Sequence, residues 1–330
     1  MRGTLFNYYR PMKRILFLAL IFLAQACGSK QGSATTSDNN ADSLGGSVCG
    51  ASSRRIVLPF DNIKEIRSRE QYDYAIAHYW DNFEFEAEDV QELYSMDELN
   101  SVFAQYVMII PQDRADSLLR GLIHRAEVNI SALDMFSEAA HTVLYDPNSP
   151  VRNDEYYIPI LEELAKSPIL DEYDRMIPQH TLNIVKQNRV GAVANNFVYT
   201  LRDGKSGYLH NLKADYIILL FNNPGCEMCR EIIDDMESSE RLKALSQQHN
   251  IITLAVYPDE DLEAWYDYLE TMPKGWICSY DKDMVISDNN LYDLKAIPSL
   301  YLLDRKKHVL IKDGVSVQHV EQLISQGVQL

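Results

Sequence analysis

Apolar side chains recur along this chain in two rhythms, one after the other. From Arg54 to about Arg189 the spacing is helical. Tyr72, Ile76, Tyr79 and Trp80 form one set and Phe103, Tyr106, Val107 and Ile110 the next. Leu118, Leu119, Leu122 and Ile123 follow, then Leu133, Phe136, Ala140, Val143 and Leu144. Turn formers separate these runs at Pro111-Gln-Asp, Tyr145-Asp-Pro-Asn-Ser-Pro, Lys166-Ser-Pro and Ile177-Pro. The pattern predicts about five antiparallel helices with short connections, a small all-α domain over residues 54–189.

From residue 190 onward short apolar runs alternate with amphipathic segments. Strands are predicted at 197–201, 216–221, 251–257, 275–279, 299–304 and 308–312, and helices at 226–249, 261–269, 289–294 and 317–326. Tyr216 to Phe221 is apolar without interruption, the mark of a strand buried on both faces. Asp203-Gly204 and Arg305-Lys306-Lys307 read as hairpin turns. The second domain, 190–330, is therefore expected to be α/β, a mixed central sheet flanked by helices.

The N-terminus follows neither rhythm. Residues 1–26 hold four basic residues and no acid, and Met12-Lys13-Arg14 precedes a run of twelve residues, Ile15 to Ala26, apolar except for Gln25. A charged start before an apolar run too short to span a bilayer reads as a signal peptide, with Met12 as the better initiator. Residues 27–53, rich in Gly, Ser, Ala and Asn, cannot bury enough surface to fold and read as a flexible tether. Its end-to-end distance would be about 25–30 Å. Whether the signal is that of a lipoprotein or a plain secretory one, such a segment takes the chain out of the cytosol to a compartment where disulfides persist.

Composition narrows the functions. At 330 residues and 46% hydrophobic content, two cores can be filled. The formal charge of −17 argues against a nucleic-acid partner, because phosphate contacts need Lys and Arg.

The chemistry sits after the central apolar run. Asn222-Asn-Pro-Gly breaks the strand, and Cys226-Glu-Met-Cys229 opens a segment with Ile232, Ile233 and Met236 at helical spacing. Free backbone N–H groups and the positive end of the macrodipole meet at a helix start, and both favour a thiolate. Cys226, the outer cysteine, is the candidate nucleophile. Cys229, one turn inward, is placed to resolve the mixed disulfide. A zinc site would need a second pair of ligands, and His210 and His308 form no such pair, so no metal is expected. Two inert cysteines are the remaining reading.

With these residues in view, the chain resembles the thioredoxin superfamily, specifically its TlpA/ResA-like branch of exported thiol–disulfide oxidoreductases. The resemblance rests on three stretches over roughly residues 190–330. They are Phe221-Asn-Asn-Pro-Gly-Cys226-Glu-Met-Cys229-Arg, Leu291-Tyr-Asp-Leu-Lys-Ala-Ile297-Pro298-Ser-Leu-Tyr-Leu-Leu-Asp, and the leader Ala194-Asn-Asn-Phe197 with Asp203-Gly204. It implies a thioredoxin-like fold and a cis Ile297–Pro298 peptide whose backbone docks an extended client. The implied partners are protein thiols and disulfides together with an electron donor. No organic cofactor is implied, because the redox chemistry stays within the dithiol. Three departures stand out. Pro224-Gly225 replaces the usual aromatic residue before the first cysteine, strand 216–221 holds no acid, and Ile232 stands where the branch often has an acid. Glu231, Glu227 and water remain as candidate proton acceptors. Glu227 beside Cys226 disfavours the thiolate, which predicts a reductase or isomerase in place of a strong oxidant.

Ala24-Gln-Ala26-Cys27 resembles the lipobox of bacterial lipoproteins, which implies cleavage before Cys27 and lipid attachment to it. The implied location is the cell envelope of a Gram-negative-type bacterium, anchored to a membrane and facing the periplasm, with the outer membrane favoured over the inner. The helical half resembles domains of unknown function found ahead of thioredoxin folds in bacterial lipoproteins, notably at Tyr145-Asp-Pro-Asn-Ser-Pro-Val-Arg-Asn-Asp-Glu-Tyr. Two other classes compete with this reading. One is a redox-inert binding or scaffold lipoprotein, which a fully functional Cys226→Ser variant would favour. The other is a metallochaperone, which metal analysis would reveal. Elsewhere, Tyr72, Tyr74, Tyr79, Trp80, Phe83 and Phe85 are read as helix core. Glu84, Glu86, Glu88 and Asp89 are read as a solvated face, Cys278 as a buried structural cysteine, and Cys49 as a free thiol.

Overall fold

The computed structural model describes residues 54–59 and 68–330. The expected signal peptide, the tether, and Cys27 and Cys49 with their assigned roles lie outside the described residues.

Seven helices follow one another in the first half: α1 (Arg69–Ala77), α2 (Val90–Leu93), α3 (Met96–Ile109), α4 (Gln112–Ala126), α5 (Ile130–Leu144), α6 (Asp154–Leu164) and α7 (Glu172–Val185). All but α4 start at a side chain that accepts from a backbone N–H of the first turn: Ser68, Asp89, Ser95, Asn129, Asn153 and Asp171. Each such cap contributes about 0.5–2 kcal/mol. The inward faces share one core, in which Tyr79, Trp80, Phe83, Phe85, Phe103, Tyr106 and Phe136 are all buried. Trp80 meets the edge of Phe136 at 5.0 Å, the T-shaped arrangement that aromatic quadrupoles favour.

Three details correct the sequence reading. Among the described residues there are seven helices where about five were expected: α2, only four residues long, carries too few periodic positions to stand out, and the pattern gives no separate apolar set for α6 and α7. Tyr79 and Trp80 lie in the turn beyond α1, and Tyr74 faces solvent. Pro178, read as a turn, stands inside α7 with its ring buried.

The second half builds a seven-stranded mixed sheet from β1 (Val198–Leu201), β2 (Ser206–Tyr208), β3 (Tyr216–Phe221), β4 (Ile251–Tyr257), β5 (Ile277–Tyr280), β6 (Ser299–Asp304) and β7 (Val309–Gly314). The strand order is β2-β1-β5-β4-β3-β6-β7. β3 runs parallel to β4 and antiparallel to β6, with Phe221 opposite Ser299. Every residue of β3 is buried, and its side chains alternate between two cores as the pleat requires. Ile217, Leu219 and Phe221 join Phe197, Tyr292 and Tyr301 on one face. Tyr216, Ile218 and Leu220 meet the helices on the other face, α8 (Glu227–Ser238), α9 (Glu240–Gln248) and α12 (Val317–Ser325). Residues 191–194 pair with the outer edge of β7 through Gly191 N–H to Val309 O and Ala194 N–H to Lys307 O, each at 2.9 Å. That pairing covers part of an open sheet edge.

Between β4 and β6 lie α10 (Leu262–Tyr268) and α11 (Val285–Asp288). The helical turn expected at 289–294 is absent. Asn290 sits in the left-handed region (φ 48°), and the Leu291 carbonyl accepts from Asn188 and Asn195 instead of from a helical N–H. Among the described residues no helix is long and apolar enough to cross a membrane.

Candidate active site

β3 delivers the chain to the cysteines. Asn222 N–H still bonds to Val256 O at 3.1 Å, and Asn223 Nδ2 donates to Asp259 Oδ2 at 2.7 Å, which ties the loop to the end of β4. Gly225 then turns with φ +73°, a conformation that suits a residue without Cβ.

Cys226 is the N-cap of α8, and its sulfur accepts from the Cys229 N–H at 3.1 Å. The helix behind it buries Cys229, Ile232, Ile233 and Met236, an i, i+3, i+4, i+7 stripe against the sheet. The two cysteines are joined as a disulfide with their Cα atoms 5.2 Å apart. Cys226 is half-buried and Cys229 fully buried, so an incoming molecule meets Cys226 first. The amide donor and helix dipole at Cys226 are those that favour a thiolate.

The second wall is the loop before β6. The Ile297–Pro298 peptide is cis, and the Ile297 carbonyl oxygen lies 3.8 Å from Cys226 Sγ. Ile297 is half-buried and Pro298 buried. Neither the N–H nor the carbonyl of Ile297 enters a backbone–backbone hydrogen bond among the described residues. An unpaired stretch of backbone therefore stands beside the outer sulfur.

A thioredoxin-like family model matches residues 214–309, and a model described as a domain of unknown function, DUF5106, matches residues 58–188. The crystal structure of a thioredoxin-like protein from Bacteroides caccae ATCC 43185 is 36% identical. The match covers 83% of this chain and 99% of that one, with a TM-score of 0.75. This chain belongs to the thioredoxin-like proteins. The C-terminal domain of an uncharacterized protein from Bacteroides fragilis NCTC 9343 is 43% identical over 42% of this chain and 98% of its own, with a TM-score of 0.41. Nucleoredoxin from Danio rerio is 27% identical over 104 residues, 31% of this chain. The matched segment spans about a quarter (24%) of that relative's length.

Not every candidate of this thioredoxin-like chain is brought to the sulfurs. Glu227 and Glu231 are both exposed, and neither hydrogen-bonds to a cysteine among the described residues. Glu231 and the buried Cys229 stand two residues apart on α8, which places them on different sides of the helix. His308 Nδ1 pairs with Asp304 Oδ2 at 3.1 Å and His210 Nε2 with the Ala194 carbonyl at 2.8 Å. Asp304 lies opposite Tyr216, so His308 is the length of β3, about 17 Å, from the cysteine end of the sheet. Cys278 is half-buried where full burial was expected, and burial pushes its thiol up to about 11.

Two neighbours of the site escaped sequence reasoning. Asp259 reaches the cysteine loop through Asn223, and its only signal was a Pro-Asp pair after an apolar strand. Lys295, two residues before Ile297, is the other. It lies within the stretch 291–304 that carries the resemblance, but nothing in the residue pattern assigned the charge itself a role.

Proposed function

We propose that this chain is an exported, lipid-anchored thiol–disulfide oxidoreductase that reduces or isomerises disulfides of protein clients. The observation that carries the reading is a half-buried Cys226 at a helix N-terminus. It is paired with a fully buried Cys229 and faces the unpaired backbone of Ile297 at 3.8 Å.

In the reduced protein the Cys226 thiolate attacks one sulfur of a client disulfide. The client S–S bond breaks, a Cys226–client S–S bond forms, and the released client sulfur takes a proton from solvent. Cys229 loses its proton to solvent and attacks the Cys226 sulfur. That step closes the Cys226–Cys229 disulfide and releases the second client thiol. Two electrons pass from the dithiol to the client, and a donor dithiol protein returns them by the reverse exchange. Ile297 and Pro298 dock an extended client segment in this scheme, as a neighbouring strand would.

The anchor and the location rest on sequence. Cleavage before Cys27 and its lipidation would tether the folded part to an envelope membrane through residues 28–53, facing the periplasm, with the outer membrane as the preferred site.

Trapping tests the exchange. Cys229→Ser, mixed with a disulfide-bonded peptide, is expected to accumulate a covalent Cys226–peptide adduct that Cys226→Ser does not form. Multiple turnover with a dithiol donor is expected of the wild type alone. Equal turnover by wild type and Cys226→Ser would contradict the proposal.

A further inference from the structure

The loop that carries Ile297 and Pro298 is held by more than its own sheet. The Lys295 ammonium lies 2.5 Å from Asp293 Oδ2, 3.5 Å from Asp313 Oδ2 and 4.3 Å from the centroid of the Tyr145 ring. Tyr145 belongs to the helical core: it follows α5 and stacks on Tyr157 of α6 at 5.4 Å. Arg152, from the turn before α6, completes the arrangement. One of its nitrogens is 3.3 Å from Asp313 Oδ2, and the other donates to the Asp313 carbonyl at 2.7 Å. Asp313 is in the left-handed region (φ 48°), where the sheet register slips between β6 and β7. Alongside, Lys312 Nζ is 2.6 Å from Asp154 Oδ2 and from the Val185 carbonyl.

Three cations and three carboxylates thus neutralise one another across the two halves of the molecule. They are mostly removed from water: the Lys295 side chain is 11% exposed and that of Asp293 4%. Buried charges of this kind persist only where every partner is in place, so their geometry is well determined. At the other end of the loop the Leu291 carbonyl is gripped by Asn188 at 2.7 Å and Asn195 at 2.9 Å.

We infer that the helical half is a positioning brace for the client-docking loop, acting on Ile297 through Lys295, and this rests on the disulfide-exchange reading above. Only Ala296 separates Lys295 from Ile297, so an ammonium held on its three partners restrains the backbone that presents the Ile297 carbonyl to Cys226. Tyr145 closes the ammonium's open side with a ring face, which binds cations only at short range and so fixes distance. Lys295 touches neither sulfur and is a positioning residue. Its loss should weaken the capture of an extended client and leave the exchange chemistry alone.

The test uses the chain from residue 54 to 330 with Lys295→Met, Lys295→Arg and Tyr145→Leu, each first shown to be folded by circular dichroism. With a disulfide-bonded peptide as probe, Lys295→Met is expected to raise KM about tenfold with kcat within twofold, and Tyr145→Leu to act in the same direction more weakly. Lys295→Arg should recover most of the affinity. The rate at which dithiothreitol reduces Cys226–Cys229, and the equilibrium potential of the pair, should stay at wild-type values in all three. Amide exchange at 294–300 should quicken about tenfold in Lys295→Met. Unchanged KM and unchanged amide exchange in folded Lys295→Met would overturn the brace. So would an equal loss in the dithiothreitol reaction. A wild type that turns over no peptide disulfide overturns the functional reading, and amide exchange then decides the brace alone.

Discussion

A carboxylate next to a thiol raises the free energy of the thiolate, while amide donors and a helix dipole lower it. Cys226 has both influences, with Glu227 on one side and the Cys229 N–H at 3.1 Å on the other. Glu227→Gln should therefore favour the thiolate, stabilise the reduced protein and move the dithiol potential upward. The shift should be on the order of 10 mV, given that 30 mV corresponds to about 1.4 kcal/mol for two electrons and that the residue is exposed. A glutathione redox titration of both proteins measures it, and a downward shift would reverse the argued direction. Cys278 provides a contrast. Burial pushes its thiol up to about 11, so at pH 8 it holds about 100-fold less thiolate than a thiol of ordinary value 9. Its alkylation by iodoacetamide should rise about tenfold per pH unit until pH approaches 11. A flat profile between pH 7 and 9 would contradict this. Residue identity and spacing were enough to single out Cys226 and Cys229, whose place is set by their immediate neighbours, while Ile297 and Pro298 were legible only through the resemblance of their stretch to a known family. Identity and spacing did not single out Lys295, whose partner Tyr145 is far away along the chain.

At the level of elements, β3 and α8 carry the site, and their interlock is what the sequence announces most clearly. An unbroken apolar run signals a strand with two covered faces, and Leu219 is fully buried in one of the two resulting cores. Leu219→Ala should lower unfolding stability by about 2–5 kcal/mol, since it deletes buried volume from a strand that cannot close around the gap. Urea denaturation checks this, and a loss below about 1 kcal/mol would show that the strand is less tightly packed than described. Elements defined by long-range contacts were less legible. The segment after α11 forms no helix because Asn188 and Asn195 take the Leu291 carbonyl. Pro178 sits inside α7 with its ring buried. Neither outcome has a local signature.

For the whole molecule, the notable fact is how much charge is buried where the two cores meet. Lys312 is 8% exposed in its side chain and Asp154 16%, whereas a surface pair such as Arg202–Glu270 leaves both partners more than half exposed. Lys312→Ala leaves Asp154 without its partner and should cost about 3–5 kcal/mol, well above the loss expected for an exposed pair such as Arg202–Glu270. Parallel urea titrations of Lys312→Ala and Arg202→Ala compare the two. Equal effects would mean that the buried pair is not a structural link. The helical half and the thioredoxin-like half were each foreseeable from their own hydrophobic rhythm. Their union was not, because it depends on charges more than a hundred residues apart that read individually as solvated surface.

The measurement that bears most directly on the central claim is the redox equilibrium of Cys226 and Cys229. The purified chain from residue 54 would be equilibrated against graded glutathione buffers, quenched by alkylation and read by mass spectrometry, with Cys226→Ser as control. The account predicts a single two-electron transition confined to this pair, at a potential in the range of reducing dithiols, with Cys278 unchanged throughout. A pair that stays in one state across the whole range, or that no alkylating agent reaches after reduction, would contradict it. The protein would then be a thioredoxin-like binding module.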